Sequence, residues 1–223
     1  MRYILLLLLI YLSNLSKAQN SSLQTFESGI CDCLQQKAVT TLKSQEYLNC
    51  VLKNMETHRE LIRDMATKKY GDSAKFKSDQ FMEWLQPKIA LDLTRDCGNF
   101  YKLMEDLWEH ETHKKTRPEL LKELQMRKTM DRKFSGNYFW YRGEVYLQLG
   151  DYKNALIDAD SSIRDKPKDG RGYSLKGRIK EKQGNYADAL KFYQKANAVE
   201  PSPEYRIIIA IVQRKQQLKL GKN

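Results

Sequence analysis

Four cysteines, Cys31, Cys33, Cys50 and Cys97, carry most of the chemistry that residue type and spacing suggest in this chain. Three uses suit them: two structural disulfides, a redox-active Cys31-Asp32-Cys33, or a zinc site of four thiolates. Zinc sites space their thiolates in paired knuckles, and Cys50 and Cys97 each stand alone. A redox pair needs a thiol of lowered pKa, and no neighbouring pattern supplies one. An even count in an oxidising compartment favours two disulfides. Residues two apart on a helix point about 200° from each other, so Cys31 and Cys33 do not pair together. Each of them then reaches to Cys50 or Cys97, and both arrangements stay open.

The other chemistry-bearing group is Glu109-His110-Glu111-Thr112-His113. Its histidines stand three apart, whereas the zinc-protease pattern places them four apart. It reads as a solvated, charged helix end, and His58 stands alone. The chain has no Gly-rich phosphate loop, no Gly-x-Ser-x-Gly elbow and no Ser/His/Asp context. The expectation is a protein that is not an enzyme and uses neither cofactor nor metal, with a thiol-redox or metal-handling role for Cys31 and Cys33 as the alternative.

Compartment decides how the cysteines behave. Met1-Arg2 is followed by an uncharged apolar run from Tyr3 to Leu12 and then by Ser16-Lys17-Ala18. Ten residues at ~1.5 Å each cover about half of a ~30 Å hydrocarbon core. The pattern predicts a secretory signal peptide over 1–18, cut before Gln19. A retained short anchor is the competing reading. The mean hydropathy of -0.69 excludes a polytopic membrane protein. The expected localisation is exported, periplasmic or secreted, in a chain of bacterial type with no membrane span after cleavage.

Helices must position these residues. Leu23, Phe26, Ile30, Leu34, Ala38 and Leu42 recur at helical spacing. A second run, Leu48, Leu52, Met55, Leu61, Ile62 and Met65, ends near Tyr70-Gly71. A third covers Phe81 to Leu93 with a kink or break at Pro87. Gly98-Asn99 interrupts, and Phe100 to His113 resumes with Leu103, Leu107 and Trp108 inward. Residues 19–115 read as a helical module of three to five helices holding all the cysteines.

Residues 116–223 repeat themselves. Gly143 and Gly177, Gly150 and Gly184, Tyr152 and Tyr186, Ala155 and Ala189, and Pro167 and Pro201 each stand one common interval apart. Gly143 and Gly177 sit inside helices, where a missing side chain admits a second helix. Gly150 and Gly184 end a helix in the left-handed conformation. Pro167 and Pro201 stop the next one. On these residues, 136–203 resembles two tetratricopeptide repeats, about 136–169 and 170–203. Phe139 or Trp140, Gly143 and Tyr146 match the family's first helix; Tyr173 and Gly177 do so in the second unit, where Lys180 replaces the later Tyr. Ala189, Tyr193, Ala196 and Pro201 match its second helix, against Ala155, Ala159, Ser162 and Pro167 in the first unit.

Flanking helices complete the solenoid. Thr116 to Glu119 reads as a capping box with Pro118 in the first turn, opening a helix over 116–133 through Leu120, Leu121, Leu124 and Met130. Residues 204–220 form another. The fold class is all-α: a helix-turn-helix solenoid of tetratricopeptide type preceded by a disulfide-stapled helical module.

The resemblance implies a protein-binding scaffold with a concave groove lined by the first helix of each unit. Carried over by position, its residues are Asn137, Trp140, Glu144, Leu147 and Gln148, then Arg171, Ser174, Arg178, Glu181 and Lys182. Three basic side chains on one helical face suit an acidic peptide, a carboxyl terminus or another anionic polymer. The Lys/Asn set of the chaperone-binding members is not found. The formal net charge of +11 concentrates in residues 116–223, which hold 23 Lys and Arg against 13 Asp and Glu. Export and the lack of a reading motif argue against nucleic acid and favour an acidic protein partner.

Overall fold

The computed structural model describes residues 23–36, 44–71, 78–111, 115–129 and 137–221. All regular structure among them is helical. The helices are α1 (residues 23–35), α2 (Ser44–Thr57), α3 (Arg59–Tyr70), α4 (Ser78–Asp96), α5 (Gly98–Glu111), α6 (Arg117–Thr129), α7 (Tyr138–Gln148), α8 (Tyr152–Asp165), α9 (Gly170–Lys182), α10 (Tyr186–Val199) and α11 (Pro203–Leu220). The signal-peptide reading at 1–18, and the positions Ala38, Leu42, His113 and Met130, lie outside the described residues. No described helix is long and apolar enough to cross a membrane. The chain divides into two compact units, residues 1–103 and 104–223. Composition places a boundary at 115/116; the compact units divide earlier, at 103/104.

In the first unit, α1 buries Leu23, Phe26, Ile30 and Leu34 at the three-and-four spacing of its sequence. The second apolar run is two helices rather than one. His58 separates α2 from α3 with φ -110° and ψ 34°, its Nδ1 3.0 Å from the Asn54 carbonyl oxygen and its ring edge-on to Phe26. The apolar period crosses this break without a change of phase, which hid it in the sequence. Pro87, where a kink or break was expected, lies inside a helix that runs from Ser78 to Asp96. Phe81, Leu85, Ile89 and Leu93 are all buried on one face on both sides of it. Burying each contributes about 1.5–3 kcal/mol, which together exceeds the ~3 kcal/mol a helical proline costs. The interruption after α4 falls at Cys97, and Gly98 is already the first residue of α5.

Two disulfides staple this unit. Cys31 pairs with Cys97 and Cys33 with Cys50, at Cα separations of 5.6 and 5.7 Å. The α1–α2 staple works beside a close contact: a Cβ on Gly29 would lie 2.1 Å from Asn54 Oδ1. Asn54 Nδ2 donates to the Cys50 carbonyl, and Asn99 Nδ2 to that of Leu34 at the end of α1.

The second unit stacks α6 to α11 in chain order, with close helix pairs α6–α7, α7–α8, α8–α9, α9–α10 and α10–α11. It is built of helical repeats of tetratricopeptide type. Gly143 and Gly177 are the small positions where helices cross: a Cβ would lie 2.5 Å from Leu175 Cδ2 in the first case and 2.9 Å from the Tyr193 ring in the second. Gly150 and Gly184 have φ of 80° and 71°, the left-handed turn that ends α7 and α9. Asp151 and Asn185 then cap α8 and α10, accepting from the backbone N–H groups of Asn154 and Asp188. Ahead of α6, the Thr116 backbone N–H donates to Glu119 at 2.6 Å, one half of the expected capping box. Leu120 and Leu124 of this helix are buried, whereas Leu121 is exposed.

Candidate functional site

Helices α7, α9 and α11 follow one another at the interval at which the sequence recurs. Residues at equal positions therefore line up across the three helices. Arg178 on α9 pairs with Glu144 on α7, 34 residues earlier. Lys215 on α11 donates to Glu181 on α9 at 3.0 Å, again 34 residues earlier. Two ion pairs at one-repeat spacing thus tie the three helices along one face.

Of the residues expected on this face, Asn137 accepts from Lys166 Nζ at 3.1 Å and makes no side-chain cap to α7. Trp140 is half-buried, with the Arg171 guanidinium 5.5 Å from its ring centre. Arg171 in turn binds Asp169 through Nε and Nη2, at 2.9 and 2.6 Å. Its hydrogen bonds hold the Asp169 carboxyl below the usual range. Gln148 and Ser174 are half-buried. Leu147, expected in the groove, is instead a core residue packed with Ala155, Ala159, Leu175 and Ile179. Glu181, at 7% exposure, is buried and accepts from Tyr193 Oη at 2.8 Å.

The three basic side chains expected to stand ready for an acidic ligand already have acidic partners. Arg171 holds Asp169, Arg178 holds Glu144, and Lys182 holds Glu109 of α5. Burial raises the Glu144 carboxyl despite the neighbouring Arg178. Burial also opposes ionisation of Glu109, yet hydrogen bonds from Lys182 and Lys215 outweigh it and hold that carboxyl at about 2. Lys215 loses solvation by burial, but Glu181 and Glu109 raise its pKa.

Three residues of this cluster had other readings in the sequence. Trp108 was expected to face inward, and it does: its indole lies against Tyr193 at 6.4 Å between ring centres, and its Nε1 points at Glu181 Oε2 from 3.4 Å. Leu107, expected beside it, is 40% exposed. Glu109 was read as part of a solvated helix end, and Lys215 as part of Arg214-Lys215-Gln216-Gln217, a charged helix end that suits a capping element. The Lys215 signal was present, because Glu181 and Lys215 stand at the repeat interval; the Glu109 signal was not, because its partners lie 73 and 106 residues away.

Elsewhere, the first unit holds a cavity of about 230 Å³ beside Cys31 and Cys97, lined by Glu27, Asp32, Asp92 and Asp96. Burial, followed by the charge of Asp92, pushes the Glu27 carboxyl up to about 8, and its Oε1 is buried without a hydrogen-bond partner. All four cysteines are in disulfides. Among the described residues no three His, Cys, Asp or Glu side chains group as metal ligands.

Residues 170–203, spanning α9 and α10, match the tetratricopeptide repeat family. Over 67 residues the chain is 36% identical to small glutamine-rich tetratricopeptide repeat-containing protein 2 of Mycosarcoma maydis, a match covering 30% of this chain and 19% of that protein. The likeness thus spans about a fifth of the relative's length. Tetratricopeptide repeats bind proteins and peptides, and the stretch over α9 and α10 is one such repeat.

Proposed function

We propose that this chain is an exported protein-binding scaffold, not an enzyme, which takes up an acidic protein or peptide on the face formed by α7, α9 and α11. Residues 136–169 act as a first tetratricopeptide repeat ahead of the matched one, and α11 serves as the leading helix of a third. The observation that carries the reading is the pairing of equal repeat positions, Glu144 with Arg178 and Glu181 with Lys215, which ties α7, α9 and α11 along one face. The excess of Lys and Arg over residues 116–223 adds a field that favours an acidic partner.

Export rests on the signal-peptide pattern of residues 1–18 and is favoured by two disulfides, which persist in an oxidising compartment. Capture of partners from envelope or medium, comparing wild type with Arg178→Glu plus Lys182→Glu, tests the binding face. The reversed charges are expected to lower capture by about tenfold or more, since each close pair is worth ~1.4 kcal/mol or more. Unchanged capture by the double variant would remove this face from the function.

A further inference from the structure

The face of α9 and α11 is already occupied. Glu105, Trp108 and Glu109 lie three and four residues apart on α5, one side of one helix, and all three meet α9 or α11. The Trp108 ring packs on the cluster of Ala189, Tyr193, Ile208 and Val212, with the Arg178 guanidinium 5.5 Å from its centre. Glu109 is gripped from two helices, by Lys182 of α9 and by Lys215 of α11 at 2.9 Å. Lys215 also lies 3.5 Å from Glu105. Met104–Glu111 carries Glu105, Asp106, Glu109 and Glu111 and no Lys or Arg, against helices that present Arg178, Lys182 and Lys215.

We propose that residues 104–111 are a built-in ligand of this face, and that the partner is an acidic amphipathic helix which carries an aromatic residue followed by a glutamate and must displace them. The proposal rests on the reading of the face as a binding surface and names the chemistry of its occupant. Two features fit displacement. The close helix-to-helix contacts of the unit run from α6 through α11, whereas residues 104–111 are held there through side chains, the Trp108 ring on its apolar cluster and Glu109 on two lysines. Their removal would also leave Lys182 without Glu109 and would uncover the apolar cluster beneath the Trp108 ring, so an occupant that carries an acid and an aromatic ring replaces what is lost.

A tethered segment acts at an effective concentration of about 1 mM, and it suppresses the same sequence added in trans by the ratio of that concentration to its dissociation constant. The experiment uses the full chain and a fluorescein-labelled peptide of residues 101–111, followed by anisotropy. Trp108→Ala plus Glu109→Ala opens the face and is expected to bind the peptide about tenfold or more tighter than wild type. Adding Arg178→Glu and Lys182→Glu is expected to abolish that gain. If the opened variant loses its helical circular dichroism, Glu109→Lys takes its place under the same criterion.

Equal binding by wild type and opened variant, or no binding by either, overturns the built-in ligand. The broader reading fails separately, when partner capture is indifferent to Arg178 and Lys182.

Discussion

Asp158 and Arg142 show how one residue pair can make two repeats differ. Asp158 is 1% exposed and takes a bidentate bond from Arg142, at 2.7 Å from Nε and 2.5 Å from Nη2. Arg142 also donates to Tyr138 Oη at 2.8 Å, and the Asp158 hydrogen bond raises its already high pKa. One repeat later the equivalent residues are Lys176 and Phe192, and the ammonium sits 4.9 Å from the ring centre. An ion pair has become a cation–π contact. Removing one partner of a buried pair leaves an uncompensated charge, so Asp158→Ala is expected to destabilise the second unit by about 3–5 kcal/mol. Lys176→Ala is expected to cost less than about 1 kcal/mol, because its contacts are with a ring and an exposed Asp160. Urea unfolding followed by circular dichroism separates the two. Similar losses at both positions would show that burial of Asp158 is not what makes its pair matter.

Among the elements, the contact of residues 104–111 with α9 and α11 depends on an ionised Glu109. Its folded pKa lies at about 2, below the ordinary 4.5. The stabilisation is therefore present above pH 4.5 and is lost as pH falls toward 2. With Trp84 and Trp140 replaced by Phe, Trp108 emission is expected to shift over that window, and Glu109→Gln is expected to remove the shift. A Glu109→Gln profile identical to wild type would place the titrating group elsewhere. The helices themselves were largely legible in sequence, for reasons that differ by element. The repeats announced themselves because Gly150, Gly184, Pro167 and Pro201 act on the local backbone whatever surrounds them. The docking of 104–111 was not legible, since no local rule links Glu109 to Lys182 and Lys215. The break at His58 and the continuity through Pro87 were decided by which face each segment buries, a tertiary matter that local propensity does not carry.

At the scale of the molecule, the two units answer to different solution conditions. Every cysteine lies in the first unit, where the disulfides close spans of 17 and 66 residues. In the chain-entropy picture these contribute about 3 and about 4 kcal/mol respectively. Glu27 works in the opposite pH sense to Glu109. Its folded pKa of about 8 lies above 4.5, so its contribution is present below pH 4.5 and lost as pH rises through 8. Calorimetry is expected to show a transition of the first unit that reductant lowers and that alkaline pH weakens, with Glu27→Gln flattening the pH response. The second transition is expected to ignore reductant; one that moved with it would contradict this division of labour. The pairs at one-repeat spacing also fix the order of the units. Glu144 meets Arg178, and the next residue in that series is Val212; Glu181 meets Lys215, and the residue before it in the series is Leu147. Excising 170–203 would set Glu144 beside Val212 and Leu147 beside Lys215, so the array cannot be shortened, shuffled or lengthened by copying a unit without stranding a charge. Each repeat carries an address for its neighbour.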